Sequence, residues 1–295
     1  MPDDKHMSGP AFAAAGEDGM RCCSKDGKTW TDGQGGKDGQ LYSAIVFGKG
    51  QCVAAARFGG SVVSAVTADG STWKTASFDA QYAYYIGALV FFNDQFIGVG
   101  STFYMSSDDG LKWEPRRNLP EKKTAGQDPA MHRFAVGNGL LVGVGDYGNA
   151  IVTRDARDWK FAPDTKPANA LIDVTFGNGV FVAGGLHGLR MRSTDGVTWT
   201  DRTPGEEGEH INFINFDGKH FVGIGQGATY VSPDGIKWER IVNQNAPTIA
   251  AYGNGAYVGA LWPGKLLHSP DGIEWKQAAE LSQSVACLAF GVFGM

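Results

Sequence analysis

No apolar run in this chain of 295 residues approaches the roughly 20 residues that a membrane-crossing helix needs, so a soluble protein is expected. Charge is sparse as well. The 26 basic and 31 acidic residues leave a formal charge of −5 without any basic stripe, which argues against nucleic acid as a partner. There are four cysteines, Cys22, Cys23, Cys52 and Cys287, and no Cys-x-x-Cys pair, so the usual zinc and dithiol signatures are absent. No segment of helical period and length stands out. The opening MPDDKHM has no apolar signal core, and His6-Met7 reads as a cloning remnant. Residues 1–8 are therefore expected to be a disordered or tag-derived start, and 9–295 one domain. The compartment stays open between export, with a signal peptide removed, and the cytoplasm.

What the chain does have is glycine, 43 of them, tryptophan and a repeat. SKDGKTW ends at Trp30, TADGSTW at Trp73, SDDGLKW at Trp113, TRDARDW at Trp159, STDGVTW at Trp199, SPDGIKW at Trp238 and SPDGIEW at Trp275. Each copy has Ser or Thr six places before the Trp and Asp four places before it. Successive Trp positions differ by 43, 40, 46, 40, 39 and 37, a period in the range of propeller blades. Asp-Gly between apolar stretches is a tight-turn signal, because the carboxylate can accept turn N–H groups and Gly tolerates positive φ. The motif residues Asp26, Asp69, Asp109, Asp155, Asp195, Asp234 and Asp271, with their Trp partners, are accordingly structural. A reaction needs different groups converging on one place, not one group repeated seven times. One copy has Ala156 in place of Gly; a left-handed Ala costs about 1 kcal/mol, so this turn is a candidate for remodelling.

Asp173 to Trp199 shows a full unit of four strands with turns at Gly177-Asn178-Gly179 and Leu186-His187-Gly188. The first unit lacks its opening strand, and SVACLAFG from Ser284 to Gly291 supplies the missing one. The expected fold is all-β: a seven-bladed β-propeller of four-stranded antiparallel blades, closed by the C-terminal strand joining the N-terminal blade. Cys22 and Cys23 then lie on the third strand of that blade and Cys287 on its first. Strands two apart are separated by roughly 9.5 Å, beyond disulfide reach, so free buried thiols are expected.

The repeat resembles the Asp-box, or BNR repeat, of sialidases, several glycoside hydrolases and photosystem assembly factors of the YCF48 type. With seven copies the resemblance spans nearly the whole chain and implies a propeller of the WD40/YVTN/BNR-like class. It implies no particular chemistry. Sialidase kinship would imply an Arg-Ile-Pro element, which does not occur here.

The turns between second and third strands, together with the starts of the first strands, differ from blade to blade while the motif does not. They offer Arg57, Phe58, Phe103, Asp146, Tyr147, His187 and Trp262 from the turns, and His132, Arg133, Asp173 and Asn212 from the strand starts. Phe58, Phe103, Tyr147 and Trp262 are candidates to stack on a sugar or an extended peptide. Arg133 and Asp173 occupy equivalent positions in adjacent blades and are expected to pair. His132, His187 and His210 lack a ligand-spacing signature, so neither metal nor cofactor is expected. The function expected is a non-catalytic binding or assembly module, a monomer that takes a glycan or a protein segment. The alternatives are an intracellular scaffold and a glycosidase-type hydrolase using carboxylates among Asp18, Asp146, Asp173, Glu206, Glu207 and Glu209.

Overall fold

Short strands of apolar and small residues, punctuated by turns with positive φ, pair antiparallel with their sequence neighbours throughout the chain. The computed structural model describes residues 7–31, 33–79, 86–100, 103–118, 130–163 and 169–294; residues 1–6, most of the expected N-terminal tail, lie outside them. The strands form seven sheets, the seven four-stranded antiparallel blades of a β-propeller. Sheets 2 to 5 and sheet 7 open with Leu41–Gly48, Ala88–Phe92, Met131–Gly137, Leu171–Gly177 and Ile249–Gly253. In sheet 6, His210–Phe216 pairs with the first half of Phe221–Ser232, and Glu239–Asn243 pairs with the second half, so one run fills two strand positions. Sheet 1 has its fourth position filled by Thr31 and Gln34, through Thr31 N–H to Cys23 O at 2.8 Å and the reciprocal Arg21–Gln34 pair.

The chain falls into two compact units: Met1–Gly100, Met105–Pro115 and Ile249–Met295 in one, Ser101–Tyr104 and Arg116–Thr248 in the other. In the first unit, Val285–Phe293 pairs antiparallel with Gly9–Gly16, setting Phe290 opposite Phe12. This is the expected closure of the N-terminal blade. Phe293 is fully buried in a cluster with Cys23, Cys52 and Cys287. All four cysteines are buried and none forms a disulfide, and burial pushes the thiol of Cys22 up to about 12. Met7, the first described residue, donates its N–H to Asp69 O at 2.7 Å. In the second unit the core runs between sheets 4 and 5, with Val142, Val152, Phe181 and Trp199 packed together. The aromatic register of the first strands holds in both units: Phe91 faces Phe96, Phe176 faces Phe181, Phe216 faces Phe221 and Tyr252 faces Tyr257 across the first hairpin.

The repeated motif closes the third hairpin of each sheet. Asp195 Oδ1 accepts the N–H groups of Val197 and Thr198 at 2.8 and 2.7 Å, while Ser193 Oγ accepts Gly196 N–H at 2.8 Å. Trp199 Nε1 then donates to Gly196 O at 3.2 Å, fixing the indole. A Cβ on Gly196 would meet Val142 of the preceding sheet at 2.5 Å, so the hairpin tip is a contact between sheets. Burial raises the carboxyl pKa of Asp26, Asp109, Asp195 and Asp271, but backbone and hydroxyl bonds outweigh it and hold all four below the ordinary range. At Asp155 and Asp234 the backbone bonds lead, with the same result.

The Ala156 turn is not remodelled. Ala156 keeps φ at 55°, and Asp155 Oδ1 still accepts Arg157 N–H and Asp158 N–H at 2.8 and 2.9 Å. The carboxylate bonds therefore outweigh the strain of one left-handed Ala. Replacing Ala156 with Gly is expected to stabilise the protein by about 1 kcal/mol in urea unfolding, since the left-handed penalty disappears. An unchanged or lower midpoint would show that the buried methyl group matters more.

Candidate functional site

In the second unit, one end of sheets 4 to 6 carries the variable turns and the starts of the first strands. Asp146-Tyr147-Gly148-Asn149 and Leu186-His187-Gly188-Leu189 are two-residue hairpin turns, closed by N–H to O bonds from Asn149 to Asp146 at 3.0 Å and from Leu189 to Leu186 at 3.2 Å. Both central residues are left-handed, with φ of 55° and 67° in the first turn and 54° and 61° in the second. That geometry matches the twist of the strands but places a non-glycine residue in a region that costs about 1 kcal/mol. Glycine is required one place earlier instead. A Cβ on Gly145 would sit 2.0 Å from Ala130 O, because the first strand's backbone crosses there to accept Asp146 N–H at 2.9 Å.

The first strands of sheets 4, 5 and 6 each carry a bulge near their start. Pairing jumps from Met131–Gly145 to Arg133–Val144, from Leu171–Gly185 to Asp173–Gly184, and from Ile211–Gly225 to Phe213–Ile224. His132, Ile172 and Asn212 are the residues left over. Bulges re-aim side chains. His132 illustrates the effect: its Nε2 lies 2.8 Å from Asp146 Oδ1, both side chains about one third exposed. Arg133 Nη1 donates to His132 O at 3.0 Å. Tyr147, next to Asp146, stands 51% exposed. In sheets 5 and 6, His187 N–H donates to His210 Nδ1 at 3.2 Å, which makes that nitrogen an acceptor, and the rings lie 5.5 Å apart at 73°. Asn212 is half-buried on its bulge.

Asp173 does a different job from a ligand-facing group. It is buried, with Oδ1 accepting Val174 N–H at 2.9 Å and Oδ2 accepting Ile214 N–H at 2.8 Å, so it ties sheet 5 to sheet 6. Burial pushes its carboxyl up to about 6, against the pull of Arg133 and the two N–H groups. The expected Arg133–Asp173 proximity thus acts through charge while the carboxylate oxygens are held by backbone.

Four turn residues belong elsewhere. Phe103 is buried at the start of the strand Phe103–Ser107, which corrects its placement among the exposed stacking aromatics: the third strand begins there and its ring joins the packing. In the first unit, Arg57 is exposed at the end of Gln51–Phe58, and Phe58 is half-buried with Lys37 Nζ 5.4 Å from its ring centre. Trp262, in the turn closed by Gly264 N–H to Leu261 O, is 78% exposed. Asp18 Oδ1 accepts Gly39 N–H at 2.9 Å, and Glu206 and Glu207 are exposed. Among the described residues no three His, Cys, Asp or Glu side chains gather as a metal-binding group, and no helix is long and apolar enough to cross a membrane.

Sequence reasoning missed the bonding of Glu209, whose carboxylate is shared by Tyr230 OH and the Arg240 guanidinium. The available signal was the similarity of GGKDGQ (35–40) and PGEEGE (204–209), each immediately before a first strand.

No protein-family model matches the chain, and no curated protein matches it. Solved structures share its fold. YCF48 bound to D1 peptide superposes with a TM-score of 0.62 at 13% identity, covering 92% of this chain and 89% of that one. A virginiamycin B lyase from Staphylococcus aureus gives 0.64 at 10% identity over 82% and 84% of the two chains. Apo AztD from Citrobacter koseri gives 0.63 at 9% identity over 97% and 98%. These likenesses are likenesses of fold: the chain shares a β-propeller architecture with proteins of several activities.

Proposed function

We propose that the chain is a non-catalytic binding or assembly module whose second unit takes an extended protein segment across the turns at 146–147 and 187 and the strand starts at 132–133 and 210–212. The observation that carries this reading is the exposed Tyr147 beside the His132–Asp146 pair, on a turn that accepts left-handed strain to present it. A rigid aromatic flanked by hydrogen-bonding groups suits a peptide, whose backbone and side chains need both. The peptide-bound YCF48 structure supports the same direction at the level of fold. The repeated motif supports kinship with Asp-box propellers. Glycans are a second ligand class with the same stacking chemistry, and the monomeric state belongs to the same proposal.

The carboxylates weigh against a glycosidase. Asp146 is engaged by His132, Asp173 by two backbone N–H groups, and Glu209 by Tyr230 and Arg240. Two free carboxyl groups flanking an open pocket are what such a reaction uses.

Selection of a random peptide library on the purified protein tests the reading. Enriched peptides are expected to bind Tyr147→Ala and His187→Ala at least tenfold more weakly, about 1.4 kcal/mol, with circular dichroism unchanged. No enrichment, or equal binding by both variants, would overturn it. A glycan array run alongside decides between the two ligand classes.

A further inference from the structure

Two links between sheets are built alike, bond for bond. In the first unit Gly36 N–H donates to Asp18 O at 2.8 Å; in the second, Gly205 N–H donates to His187 O at 2.9 Å. Lys37 N–H reaches Gln40 Oε1 at 3.2 Å, and Glu206 N–H reaches Glu209 Oε2 at 3.3 Å. Arg21 Nη2 donates to Gly35 O at 3.1 Å, and Arg190 Nη2 to Pro204 O at 3.0 Å. Each link closes over one variable turn residue, Asp18 or His187, and holds it by its carbonyl.

The centre of each bracket is the side chain just before the first strand. Gln40 donates to Tyr42 OH at 3.1 Å, which also accepts Arg21 Nη1 at 2.6 Å. Glu209 accepts from Tyr230 OH and from Arg240, whose Nε lies at 3.0 Å. Arg190, 3% exposed, lies over the Tyr230 ring at 4.0 Å, and its Nε and Nη1 have no acceptor among the described residues. In the second unit the residue that follows the bracket is His210, whose Nδ1 accepts His187 N–H. Glu209 is thus bonded to the link that holds His187 and is covalently next to His210.

We propose that Glu209 is a positioning residue that fixes the His187–His210 pair for the ligand of the second unit. The proposal rests on the binding reading above, but its first test needs no ligand. Because Gln40 performs the same task at the equivalent place, acceptance of the Glu206 N–H is the essential feature. Charge is secondary.

Hydrogen exchange and imidazole 15N spectra of the whole chain test this. Glu209→Leu is expected to speed amide exchange at His187 and Gly205 at least tenfold and to mix the His210 tautomers, leaving the equivalent Gly36 amide unchanged. Glu209→Gln is expected to keep exchange at both amides within about 1.5-fold of the native protein. If Glu209→Leu does not fold, Tyr230→Phe supplies the comparison, with a smaller rise, about threefold, at the same two amides. Unchanged exchange at His187 and Gly205, a uniform rise that includes Gly36, or a Gln variant as loose as the Leu variant would each overturn the proposal. The peptide enriched on the native protein then gives the second readout: weaker binding by Glu209→Leu, restored in Glu209→Gln. Failure of selection alone overturns the binding reading, whereas loss of the local exchange pattern overturns the role of Glu209.

Discussion

A chain ending at Gln283 is expected to lose its cooperative thermal transition. The deleted segment contains Val285–Phe293, the first strand of sheet 1, which pairs with Gly9–Gly16 along its length. Its removal strips the partner from Phe12, whose ring lies 4.9 Å from that of Phe290, and empties the fully buried site of Phe293. Truncating one buried Phe to Ala costs about 3–5 kcal/mol. Losing two rings and a strand's hydrogen bonds therefore takes most of the roughly 5–15 kcal/mol by which a domain is stable. Phe293→Ala alone is expected to lower stability by about 3–5 kcal/mol in urea unfolding followed by circular dichroism. A truncated chain that melts like the full one would show that the N-terminal blade does not depend on its C-terminal strand.

The second large effect is a dependence on pH that runs opposite to the common one. Burial raises the Asp173 carboxyl from 3.8 to about 6 in the folded protein, with Arg133 and two N–H groups opposing. The folded state then holds this proton more tightly than the unfolded chain does. The contribution to stability is complete below about pH 4 and is lost as pH rises through about 6. A shift of this size corresponds to about 3 kcal/mol at 1.36 kcal/mol per unit. The motif carboxyls act in the other direction and in a lower window: held below the ordinary range, they stabilise above it and lose that contribution as pH falls. Urea unfolding of the native protein and of Asp173→Asn between pH 4 and 7 separates the two, because the motif contribution is common to both proteins. The native protein is expected to lose about 3 kcal/mol relative to the variant over this range. A constant difference would mean that Asp173 titrates normally.

Much of the architecture was legible because a motif at propeller spacing fixes the number of sheets, and because each copy contains its own turn chemistry. Ser284 to Gly291 was recognisable as the missing first strand for the same reason: every other unit has one. The variable turns were legible too, since Asp146-Tyr147-Gly148-Asn149 and Leu186-His187-Gly188 sit at one place in the repeat. What sequence did not convey is the direction of side chains. Asp173 looks available by register, yet a backbone N–H of the next sheet claims it. Phe103 reads as a turn aromatic until the strand is seen to begin at that residue. The bulge that aims His132 at Asp146 is one unpaired residue, invisible to alternation. The bracket around Glu209 joins positions 190, 209, 230 and 240, a convergence that only the packed sheets create.

One division underlies the proposal: the motif hairpins hold neighbouring sheets together, while the opposite turns are the surface proposed to take the partner. Mapping amide shift changes on the second unit during titration with a selected peptide tests it most directly. Changes centred on 132–133, 146–147, 187 and 210–212, with the hairpins at 193–199 and 232–238 still, are the predicted result. Changes centred on those hairpins instead would contradict it.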